Sequence, residues 1–175
     1  PEAVRRDLDA SLPDGLDVLE VVVSAGGSLA DRLEASLWEI RVTGVDVDEL
    51  AAGADRLLAT DAVPVERMTK KGLRTFDARE AIVSLRVRPC AGAANTGESD
   101  IGETCAILEV VLRHGTPYVR PDDVLAALRT VAGLALDAPP RVVRLAQGPL
   151  DDAGRVGDPL IVDRVPDEAP PTPDK

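Results

Sequence analysis

Residues 104–133 read TCAILEVVLRHGTPYVRPDDVLAALRTVAG, and the two halves of this stretch carry two different periods. Ala106, Leu108, Val110 and Leu112 recur at every second position, the period of a half-buried strand. Further on, Pro121 suits a first helical position and Asp122 and Asp123 stand at the positive end of a helix dipole. Val124, Leu125, Leu128, Val131 and Ala132 then share one stripe before Gly133. The spacing predicts a strand over 104–113 and a helix over 121–133.

The same strand-then-helix order appears upstream. Trp38, Ile40 and Val42 alternate with Glu39 and Arg41, which predicts a strand over 35–42. Asp46 with Glu49 three residues later resembles a capping box, and Leu50, Ala51, Ala54, Leu57 and Leu58 fall on one face of a helix over 47–59. Val63–Thr69 and Leu73–Phe76 read as two arms of a hairpin around Lys70-Lys71-Gly72, where glycine can take positive φ. Asp77–Leu85 fits either a helical turn or a strand. Ala91–Gly102 reads as an exposed loop, and Arg141–Ala146 as a last strand with Val143 and Leu145 inward. With the hairpin as one sheet element, the order over 28–149 is β-α-β-β-α-β. This is the α+β, ferredoxin-like pattern of a four-stranded antiparallel sheet with both helices on one face.

Two segments flank this unit. Glu2–Leu12 spaces Val4, Leu8 and Leu12 as a short amphipathic helix, Pro13-Asp14-Gly15 breaks it, and Leu16–Val23 reads as a strand. Residues 1–27 thus look like an α-β remnant of a second ferredoxin-like unit, and the expectation is a chain whose first part has been cut off. Ser28 with Asp31 marks an N-cap. Residues 150–175 are acidic and proline-rich, with a short apolar patch at Leu160–Val162. From Asp163 onward a disordered tail is expected.

Composition removes several function classes. The 175 residues hold 31 acidic and 20 basic side chains, a net charge of −11, and 45% are apolar, enough for a core. Aromatics make up 2%, so a nucleic-acid mode that stacks several bases on rings is not expected. A single His excludes a His-cluster metal site, and Cys90 and Cys105 are too few for a zinc ribbon or an iron–sulfur cluster. No metal and no cofactor is therefore expected. No apolar run reaches membrane-spanning length and no signal peptide is evident, so the chain reads as cytoplasmic with two reduced thiols. Neither DNA nor a membrane is expected as a partner.

Four short motifs carry a resemblance. Leu12-Pro13-Asp14-Gly15-Leu16, Ser28-Leu29, Met68-Thr69-Lys70-Lys71-Gly72 with Phe76-Asp77-Ala78-Arg79, and Arg120-Pro121-Asp122-Asp123-Val124-Leu125 resemble the radical SAM-linked domain family over about residues 1–150. That bacterial family, of undefined function, occurs fused to or encoded beside radical SAM proteins. In high-GC Gram-positive bacteria it also stands alone. Its members begin upstream with a helix and a glycine-phenylalanine-asparagine-proline stretch that has no counterpart here, and it supplies no catalytic residues to carry over. The resemblance implies an accessory role.

The residues themselves point to a basic hairpin. Between Pro64 and Arg88 lie seven basic side chains against three acidic, and two of the three lysines of the chain adjoin at the turn. Arg67, Lys70, Lys71, Arg74 and Arg79 are candidates for contact with an RNA backbone or with a partner, because guanidinium and ammonium groups position phosphates without stacking. The competing reading is a solvated turn whose charges protect a sheet edge. Asp77, flanked by Arg74 and Arg79, is the one candidate acid, base or nucleophile, similar at fold level to the aspartate of pseudouridine synthases. An arginine salt bridge fixing a strand end explains it as well. His114 reads as a loop residue, and Trp38 as core. The leading expectation is a non-catalytic accessory domain whose hairpin contacts RNA or an RNA-modifying partner such as a radical SAM protein. A pseudouridine-synthase-like enzyme and a pure protein-interaction module are the alternatives.

Overall fold

The computed structural model describes residues 1–70, 72–90, 104–136 and 138–164. Its elements in chain order are α1 (Glu2–Asp9), α2 (Leu29–Arg32), β1 (Ala35–Thr43), α3 (Val47–Ala59), β2 (Pro64–Thr69), β3 (Gly72–Asp77), β4 (Ile82–Pro89), β5 (Cys105–Arg113), α4 (Pro121–Ala132) and β6 (Arg141–Gly148). The fold is mixed α+β. One antiparallel sheet has the order β4-β5-β1-β6, and β2 pairs with β3 in a separate two-stranded sheet.

The alternating positions of β1 and β5 build the core. Ile40, Val42, Leu108, Val110 and Leu112 point to one face of the sheet and meet Leu50 and Leu57 of α3 and Val124 and Leu128 of α4, all buried. Each such Leu or Ile contributes about 1.5–3 kcal/mol relative to exposure. Asp46 opens α3 by accepting from the Asp48 amide at 2.8 Å. Ser28 does the same for α2, at 3.2 Å from the Ala30 amide. Gly72 has φ +104°, as the turn reading requires.

Five expectations are corrected, the last of them in the segment after β6. The hairpin 64–77 is not an element of the four-stranded sheet; β4, from the ambiguous stretch after Asp77, takes that place beside β5. A register shift between Ile82 and Ser84 leaves Val83 unpaired, and this bulge breaks the period of two that would have marked a strand. In β6 the inward residue is Val142, opposite Ile40; Val143 and Leu145 are 41% and 48% exposed. Leu16–Val23 forms no strand, because its backbone finds no partner edge among the described residues, and Leu19 and Val23 face solvent. Cys90 and Cys105 are joined in a disulfide with a Cα–Cα separation of 5.6 Å, where β4 and β5 already lie side by side. The loop expected over 91–102 lies outside the described residues.

The chain after β6 turns back across the molecule. A Cβ on Gly148 would stand 2.0 Å from the Gly157 carbonyl oxygen, so a side chain there would collide with the returning backbone. Asp163, expected in a loose tail, is buried; it accepts from the Ala25 amide at 2.7 Å and is ion-paired with Arg32. Arg32 beside it, with the Ala25 amide, holds the Asp163 carboxyl below its ordinary value of 3.8. Arg164 bonds Glu20 and Asp158. Residues 165–175 lie outside the described residues. No described helix is long and apolar enough to cross a membrane.

Candidate functional site

The positive charge of the hairpin region separates into anchored and free groups. Arg67 is anchored: its Nη1 donates to Asp123 Oδ2 at 2.6 Å and its Nη2 to the Tyr118 carbonyl at 3.1 Å. Its guanidinium also lies 4.8 Å from the Phe76 ring centroid. Asp123, buried, also accepts from the Arg120 amide at 2.8 Å, so one carboxylate caps α4 and ties β2 to it. Arg79 donates to the Leu58 carbonyl near the end of α3 and to the Ile82 carbonyl. Arg88 is held by Glu39 at 2.6 Å and Glu109 at 3.1 Å.

Lys70 and Arg74 are exposed and form no ion pair among the described residues. Lys71 lies outside them. Met68 and Leu73, register partners next to the turn, are 72% and 57% exposed. Arg67 and Arg74 are themselves register partners, so the sheet brings these two together while Arg79 stands apart beyond Asp77. Asp77 Oδ1 accepts from the amides of Val63 at 2.8 Å and Arg79 at 2.9 Å, bonds that fix the strand end and the following turn. Asp77 also lines a cleft of about 230 Å³ with Phe76, Glu80 and His114.

His114 belongs to a second cluster. Its Nδ1 is 2.5 Å from the Leu33 carbonyl oxygen and its Nε2 is 2.8 Å from Ser36 Oγ. A carbonyl only accepts, so Nδ1 carries a proton toward Leu33, and Nε2 shares a hydrogen bond with the serine hydroxyl. Ser36 has no exposed surface, so its hydroxyl orients the ring and cannot meet a substrate. The His114 ring is 5.1 Å from that of Tyr118, tilted by 57°. Both face a larger groove of about 490 Å³ that Trp38, Arg120 and Arg144 also line. Sequence reading missed this cluster. Its members come from β1, the loop after β5, the start of α4 and β6, and their only signal was that Trp38, His114 and Tyr118 are the sole residues of their kinds. No group of three or more metal-ligating side chains converges among the described residues.

Fold and charge thus define an α+β domain with a basic hairpin standing off an antiparallel sheet. The chain belongs to the bacterial family described as "Uncharacterized protein conserved in bacteria (DUF2344)", whose model matches residues 1–121. No curated protein and no solved structure matches the chain.

Proposed function

We propose that this chain is a non-catalytic accessory domain, of the radical SAM-linked kind, that holds RNA through its hairpin. The observation that carries this reading is that Lys70 and Arg74 stand exposed, with no ion pair to a carboxylate among the described residues, on a hairpin outside the main sheet. The root of that hairpin is held rigid by Arg67 and Asp123. A fixed root with unpaired cations beyond it can follow a phosphate backbone without distinguishing bases. Taking β1, β4, β5 and β6 as the four strands supports the ferredoxin-like reading, since the first and third then lie in the centre and the second and fourth at the edges.

The test is charge reversal. Lys70→Glu with Arg74→Glu should weaken binding to a mixed-sequence single-stranded RNA by about tenfold or more and reduce the salt slope by about 1–2. Unchanged affinity and slope would sink the reading. The exposed pair Met68 and Leu73 favours a second reading, a protein-interaction module. Met68→Ser with Leu73→Ser should leave RNA binding intact if the first reading holds. The enzymatic alternative centred on Asp77 has less support, because one carboxylate oxygen is taken by two backbone amides.

A further inference from the structure

We infer that the groove between β6 and the start of α4 binds a mononucleotide unit, a planar base carrying a phosphate. Its shape comes from a bulge. Ser36 pairs with Gln147 and Trp38 with Arg144, while Leu145 is left without a partner. In a regular strand, positions 144 and 147 would point to opposite faces. The extra residue turns both toward the helix side, where both line the groove beside Trp38. A bulge on an edge strand that re-aims a side chain in this way is a common device at binding sites.

The chemistry of the walls selects the ligand. The rings of Trp38, Tyr118 and His114 meet there in a chain with 2% aromatics. Trp38 contributes its indole ring to the lining, and its Nε1 is buried with no hydrogen-bond acceptor among the described residues. The amide of Gln147 adds a donor and an acceptor for a base edge. Arg144 lies over the Trp38 ring, 5.5 Å from its centroid, and presents a guanidinium on which a second planar group can stack. Arg120 stands on the rim, and neither arginine forms an ion pair among the described residues. Asp122 is the one carboxylate on the rim, so the balance is positive and suits one phosphate. A groove of about 490 Å³ falls in the usual range for small ligands, roughly 300–1,000 Å³. The inference does not depend on the hairpin reading.

Trp38 is the single tryptophan, so its fluorescence reports on this groove without a label. The full chain is titrated with AMP, GMP, CMP and UMP, with the matching nucleosides, and with inorganic phosphate. At least one mononucleotide should give a saturable change with a Kd below about 1 mM, and its nucleoside and phosphate alone should bind about tenfold more weakly. Arg120→Gln with Arg144→Gln should raise that Kd by about tenfold or more, with the circular dichroism unchanged. Lys70→Glu should not alter it. Tyr118→Leu serves as a second variant if the arginine pair fails to fold, and should weaken binding by about fivefold or more through lost stacking.

In the Lys70→Glu, Arg74→Glu background, which removes the hairpin contact, a short RNA that binds about tenfold more tightly than its mononucleotide assigns the site to a strand, and equal affinity assigns it to free nucleotide. Either outcome supports the site. It is overturned if fluorescence and ligand-observed NMR both show no binding of any mononucleotide at about 5 mM. Phosphate binding as tightly as the nucleotides, or foldable variants binding like the unaltered chain, would overturn it too.

Discussion

Arg67 shows how one side chain can be basic, located in a candidate interface and still serve the fold. Its guanidinium touches a buried carboxylate, a carbonyl and a ring, and removing it leaves Asp123 with only the Arg120 amide as a partner among the described residues. Breaking a pair of this kind is expensive because the remaining charge stays desolvated. Arg67→Ala is therefore expected to lower unfolding free energy by about 3 kcal/mol, whereas Lys70→Ala should change it by less than about 0.5 kcal/mol, both read from urea denaturation. Equal effects would contradict the division into anchored and free cations. A loss of RNA binding in the Arg67 variant alone would say little about contact, since the root of the hairpin would have moved.

At the scale of elements, the returning segment after β6 is held to the N-terminal region by carboxylates. The Asp163 carboxyl is lowered by Arg32 first and by the Ala25 amide second. Those of Glu20 and Asp158 are lowered as well, Glu20 mainly by Arg164 and Asp158 mainly by the Leu160 amide. A carboxyl whose native value lies below its unfolded value stabilises above the unfolded value, and that contribution is lost as pH falls through the native one. The Asp163 contact of this clasp is therefore intact at neutral pH and is lost as pH falls below 3.8, the ordinary value for this carboxyl, and the Glu20 contact as pH falls below its ordinary value of 4.5. By NMR, the Ala25 amide shift should titrate with a midpoint below 3.8, and Arg32→Gln should move that midpoint upward. A midpoint at or above 3.8 in the unaltered chain would refute the clasp.

The same scale explains which elements were legible. α3, α4 and β5 were, because each carries its own period and its own start signal, such as Asp46 or Pro121. β4 was not, because the bulge at Val83 hides its period, and the hairpin was assigned to the wrong sheet because its pattern is that of any hairpin. Local patterning states that a strand can form and leaves open which edge it joins.

For the molecule as a whole, the Cys90–Cys105 bridge closes a loop with a sequence separation of 15 between two strands that pair in any case. Loop-closure entropy sets its contribution at about 3 kcal/mol at most. Reduction should lower the thermal midpoint and leave the far-ultraviolet circular dichroism unchanged, since the register from Ile82 to Pro89 does not need it. Loss of cooperative unfolding on reduction would show that the bridge carries the sheet. The candidate groove belongs to this scale too. Trp38, His114, Tyr118, Arg144 and Gln147 have no common motif, and a bulge at Leu145 decides that the last two face the same way. By itself the sequence determined the α+β class, the two long helices, the aliphatic core and the charge of the hairpin, because these follow from periods and compositions a few residues long. Only the tertiary structure decided which strands share a sheet, which cations are neutralised, that the two cysteines meet, and where the few aromatic rings converge. Those outcomes depend on backbone pairing and burial between residues far apart in the chain, where each strand edge or charge has several possible partners and only packing selects among them.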